Sequence, residues 1–157
     1  MTSERQAPRS RRKRELPQER VGVDFVVLGD FAQAVGGKLT VVGGGWNVLN
    51  ATVYPQGLPF GLGIGILVPW NETNRKHEFK FTIRAVEGEE LASGGGEFEA
   101  GRQPGMPPGM TQRLVLGISG QILVPHAGTY EVQVIAGDHA KNIYFEAMPL
   151  QQVQGLR

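Results

Sequence analysis

The stretch Gly61-Leu62-Gly63-Ile64-Gly65-Ile66-Leu67-Val68 decides the fold class. Successive side chains of a strand point to opposite faces, so Leu62, Ile64, Ile66 and Val68 make one apolar face while Gly61, Gly63 and Gly65 leave the other bare. A bare strand face is normally filled. Aromatic side chains from neighbouring strands are the expected cover, with Trp46, Trp70 and Tyr54 the obvious donors; a partner chain or ligand packed there is the alternative.

Period-two patterning continues on both sides of this strand. Upstream, Val23, Phe25 and Val27 alternate with Val26 and Leu28, predicting a first strand over roughly residues 22 to 31 buried on both faces. Gly36-Gly37 then turns the chain into a second strand over Lys38 to Val42, which is expected to resume through Trp46 to Leu49 after Gly43-Gly44-Gly45. The triple glycine marks a bulge or a place where another backbone or a large ring comes close.

Downstream, Phe79, Phe81 and Ile83 alternate with Lys80, Thr82 and Arg84, and Phe98 lies inward between Glu97 and Glu99. Residues 101 to 109 hold Pro104, Pro107 and Pro108 and cannot lie inside a sheet. Leu114, Leu116 and Ile118 open a strand running to Val124. In the next, Tyr130, Val132 and Val134 face the core while Glu131 and Gln133 face water. The last, Lys141 to Ala147, points Ile143 and Phe145 inward. Roughly eight short strands separated by Gly/Pro turns predict an all-β protein, an antiparallel β-sandwich, over residues 21 to 150, with a C-terminal tail over 151 to 157.

Composition agrees. With 23 glycines and 10 prolines in 157 residues, helices would meet too many breakers. Residues 1 to 20 carry seven basic residues against three glutamates, +4, which leaves the remainder at −3. With Leu16 their one sizeable hydrophobe, those residues are expected to form a disordered arm. Its run Arg11-Arg12-Lys13-Arg14 is a candidate site for polyanions, nucleic acid included, without sequence preference. The chain has no cysteine, so disulfides and thiolate chemistry are excluded and a reducing, cytoplasmic setting is expected. No apolar run approaches the roughly 18 residues of a membrane span, so no membrane insertion is expected.

Several segments carry a resemblance: Val23-Asp24-Phe25-Val26-Val27-Leu28-Gly29-Asp30-Phe31-Ala32, Gly37-Lys38-Leu39, Gly43-Gly44-Gly45-Trp46, Pro69 to Arg75, and Glu97 to Gly105. Together they resemble a family of small bacterial proteins known as a domain of unknown function, over roughly residues 22 to 147. The resemblance implies a β-sandwich in a bacterial cytosol and supplies no activity.

Residues with chemical potential do not assemble into a mechanism. Gly117-Ile118-Ser119-Gly120 lacks the spacing of a nucleophile elbow. His77, His126 and His139 fall in three separate turns with no paired-histidine spacing for zinc. Glu97 and Glu99 share a strand face about 7 Å apart, a separation open to acid–base work but commoner as solubilising charge. Neither Gly43 to Gly45 nor Gly94 to Gly96 leads into the helix a phosphate cradle needs. No cofactor is expected.

The polar loop after Pro69 is the leading candidate for binding, because Trp70, Asn71, Glu72, Asn74, Arg75 and His77 offer an aromatic surface beside donors and acceptors. The competing reading is structural: Trp70 caps the sandwich, the asparagines complete turns and Arg75 pairs with Glu72. The expected function is a non-enzymatic protein-binding or scaffold module, with an unknown protein or a second copy as partner. A capsid-like or nucleoprotein subunit using its basic arm is the alternative, and an enzyme with a loop-built site is the third.

Overall fold

The computed structural model describes residues 20 to 151. The arm's Arg11, Arg12, Lys13 and Arg14 and the tail beyond Gln151 lie outside the described residues. Ten strands occur within them: β1 (Gly22–Gly29), β2 (Phe31–Val35), β3 (Lys38–Val42), β4 (Val48–Leu49), β5 (Gln56–Val68), β6 (Lys76–Ala85), β7 (Glu90–Glu99), β8 (Gln112–Val124), β9 (Gly128–Ala136) and β10 (His139–Ala147). One 3-10 turn, Trp70–Glu72, interrupts them. None of the described helices is long and apolar enough to cross a membrane.

The strands form a three-stranded sheet in the order β1-β5-β8, a five-stranded sheet β4-β10-β9-β6-β7, and the hairpin β2-β3. Every pairing is antiparallel except β4 with β10. Between the two larger sheets lies the core. Leu62, Ile64, Ile66 and Val68 of β5 are fully buried in it, with Ile83, Tyr130, Val132, Val134 and Phe145 from the facing sheet.

The glycine face of β5 is covered, but not by the expected residues. A β-carbon at Gly61 would run into the backbone of Phe31 and Ala32; one at Gly63 would lie 2.7 Å from Val41 and 2.8 Å from Leu39; one at Gly65 would strike the Phe25 ring. The cover at Gly61 and Gly63 is therefore the hairpin β2-β3, a third layer outside the sandwich, and at Gly65 it is the ring of Phe25 on β1; none of it comes from Trp46, Trp70 or Tyr54. Trp46 packs edge-on against Phe145 and Tyr54 donates to the carbonyl of Met148, both at the other sheet. Backbone-to-backbone approach of this kind needs glycine on the strand beneath, where any side chain would occupy the space. On β8 the same approach occurs at Gly117, whose β-carbon would lie 2.6 Å from the Gln33 Cα.

Other expectations shift for local reasons. The first strand divides at Asp30, whose amide donates to the Val42 carbonyl at 2.9 Å, so the second half leaves the sheet to build the hairpin. A bulge between Val23 and Phe25 moves Val23 onto the core face with Val26 and Leu28, away from Phe25. The chain does not resume β3 after the triple glycine. Gly43 and Gly45 take positive φ, 61° and 91°, and redirect it to β4 at the edge of the five-stranded sheet. Glu131 is not solvated: it is 8% exposed and lies 3.6 Å from Arg84.

Candidate functional site

The loop after Pro69 is tied together by its own residues and by one side chain from the β7–β8 connection. Thr73, 5% exposed, donates its hydroxyl to the Trp70 carbonyl at 2.7 Å. The Arg102 guanidinium donates to the Thr73 hydroxyl at 2.8 Å and to the Trp70 carbonyl at 3.0 Å, and stacks 3.9 Å from the centre of the Trp70 ring. That ring face is occupied from within. Asn74 takes a left-handed φ of 60° and its amide donates to the Ala100 carbonyl at 2.8 Å, fastening the loop to the end of β7.

His77 lies at the start of β6, its ring tilted against Phe98, with Nε2 2.8 Å from the Glu72 carbonyl and 3.7 Å from its carboxylate. Arg75 is 4.0 Å from the same carboxylate and largely exposed, a pairing of little energetic weight. The structure thus brings Trp70, Glu72, Asn74, Arg75 and His77 around one corner, with Asn71 in the same turn. Sequence reasoning missed Arg102, the residue that holds it. A signal existed: Arg102 and Trp70 belong to two of the segments that carried the family resemblance.

Groups suited to nucleophilic or acid–base work are engaged in holding the fold. The Ser119 hydroxyl donates to the Ala32 carbonyl at 2.7 Å and accepts from the Ala32 amide at 2.9 Å, pinning the centre of β2 to β8. Tyr130, fully buried, donates to the His126 carbonyl at 2.6 Å. Burial pushes its phenol above the ordinary value of 10.0, with the nearby Glu89 charge acting the same way, which is the opposite of activation. His126 pairs with Glu89 at 3.2 Å beside an open hollow lined by Ala85 to Glu89 and Ala127 to Thr129, with both side chains more than half exposed. His139 accepts the Val23 amide at its Nδ1, 3.2 Å away, so a ring nitrogen satisfies the backbone at the β1 bulge.

The edges of the two sheets differ. On the β1 side three backbone groups find partners, His139 at Val23, the Lys141 ammonium at the Asp24 carbonyl (2.9 Å) and the Gly45 amide at the Leu28 carbonyl (2.8 Å), while β4 pairs with the end of β10 at Glu146 and Ala147. On the opposite side β7 and β8 end their sheets, and no other strand among the described residues pairs with either beyond β6 and β5.

These features define a three-layered all-β protein whose polar clusters brace its own turns and whose open side is a pair of strand edges. The chain belongs to DUF6941, a family of unknown function, which it matches over residues 24–145. No curated protein matches it.

Proposed function

We propose that this protein is a non-enzymatic binding module that presents the open side of its sandwich, strands β7 and β8, to a strand of a protein partner. The observation that carries this reading is the contrast between the two sides: one has side-chain, glycine-amide and β4 partners along part of its edges, while on the other no further strand pairs with β7 or β8 among the described residues. An unpaired edge offers a row of backbone donors and acceptors, and an extended segment that pairs with it gains main-chain hydrogen bonds directly. The structural engagement of Ser119, Tyr130 and His77 supports a non-catalytic reading. The cysteine-free composition supports a cytoplasmic setting, and the basic run Arg11 to Arg14 supplies a second, electrostatic contact for a polyanion.

The test compares the tagged full chain with a Gln121→Lys/Leu123→Lys variant, which places charge on exposed positions of β8, for proteins retained from the cells that express it. Proteins held by the natural chain and released by the variant are the expected result. An identical set from both, together with unchanged amide exchange along β7 and β8 in the extract, would count against an edge-binding module.

A further inference from the structure

Of the two open edges, only one is suited to its own copy. Strand β7 carries Glu90, Glu97 and Glu99, so an antiparallel pairing of β7 with itself would bring glutamates into register with glutamates. Pairing β7 of one copy with β8 of another would set the acidic β7 edge against a stretch, Leu114 to Val124, with no cation to meet its glutamates. Strand β8 is better suited to its own copy. It is 13 residues long, and from Leu114 to Val124 it contains no charge and no proline. Its one charged residue, Arg113, is already engaged by Asp24 at 2.6 Å.

Edge strands normally carry lysine, proline or a bulge against unwanted pairing. Strand β8 pairs with β5 in unbroken register from Gln112 to Val124 and has none of these devices along its uncharged length, while Leu123 stands 58% exposed near its end. An edge of this kind is self-complementary about a two-fold axis, because antiparallel pairing of a strand with its own copy satisfies both rows of backbone groups at once.

We propose that β8 pairs antiparallel with β8 of a second copy, joining two three-stranded sheets into one of six strands. This rests on the binding role of the open side and names the occupant of its β8 half. The acidic β7 edge stays outside the pairing and remains available to a different partner.

Sedimentation of the full chain from low to high micromolar concentration tests it. The natural chain is expected to double its mass. Gln121→Lys and the double variant Gln121→Lys/Leu123→Lys are expected to remain monomeric with the thermal midpoint of the isolated fold, whereas Glu97→Lys on β7 leaves the dimer intact. Because the chain has no cysteine, a single Lys38→Cys at the exposed start of β3, off the β8 edge, carries a spin label cleanly. Its label-to-label distance should be single-valued in the dimer. A dimer that survives both lysine variants, or one lost only in Glu97→Lys, overturns the assignment to β8. A chain that stays monomeric throughout overturns self-pairing. In that event edge-dependent retention of other proteins, measured separately, still decides whether the open side binds at all.

Discussion

Two rows of glycine in this molecule serve opposite purposes. Under the hairpin, Gly61 and Gly117 clear a path for another backbone, so the missing side chains are replaced by main chain that has nowhere to move. On β7, Gly94 and Gly96 stand directly opposite Phe81 and Phe79 of β6, and the rings lean over the vacant positions. Phe25 opposite Gly65 and Phe60 opposite Gly120 repeat the second arrangement. A glycine beneath a backbone is a steric requirement, whereas one beneath a neighbour's ring is a space the neighbour has filled and can partly vacate.

Substitutions graded by what the new β-carbon meets should separate the two kinds. Gly61→Ala is expected to have the largest effect, about 3 kcal/mol or loss of the hairpin layer, since Phe31 and Ala32 present backbone atoms. Chemical denaturation measures it; a variant as stable as the natural chain would mean the hairpin is not held against β5. Gly63→Val meets the side chains of Val41 and Leu39, which can turn aside, and should cost about 1 to 3 kcal/mol despite the better strand propensity of valine.

Ser119→Ala sharpens the same comparison from the other side. Removing the hydroxyl leaves the Ala32 amide and carbonyl buried without it, at a cost of about 1 to 3 kcal/mol, with faster amide exchange confined to β2 and β3. Uniform loss of protection across the sandwich would contradict a separately docked layer. The smallest effect is expected at Gly96→Val: its β-carbon lies 3.3 Å from an atom of the Phe79 ring, so a small ring shift and the gain in strand propensity should leave stability within about 1 kcal/mol. A loss as large as that at Gly61 would erase the distinction between the two rows.

The all-β class and the apolar face of β5 were legible because alternation over that strand admits one reading. The cover of Gly61 and Gly63 was not. A tryptophan announces itself in a sequence, while a hairpin made of Phe31 to Val42 looks like the continuation of the strand before it, and only the Asp30 amide bond to Val42 shows the departure. Alternation alone places Glu131 in solvent, because it assigns faces without knowing that Arg84 stands on the adjacent strand. The loop of Trp70 to His77 was visible as a cluster, but its organiser, Arg102, lies some thirty positions away, and no local pattern links a guanidinium to a ring at that separation.

The pairing of β1 with β5, and of β5 with β8, also fixes the order in which the molecule can assemble. Gly22 meets Leu67, and Leu67 meets Arg113, so the three-stranded sheet closes two long stretches of chain before any of its hydrogen bonds form. The hairpins β6-β7 and β9-β10 close short ones. Refolding should therefore begin in the hairpins β6-β7 and β9-β10 and proceed on the slow, millisecond-to-second scale of non-local β proteins. The outer hairpin, although local in sequence, can dock only after β5 and β8 have come together beneath it.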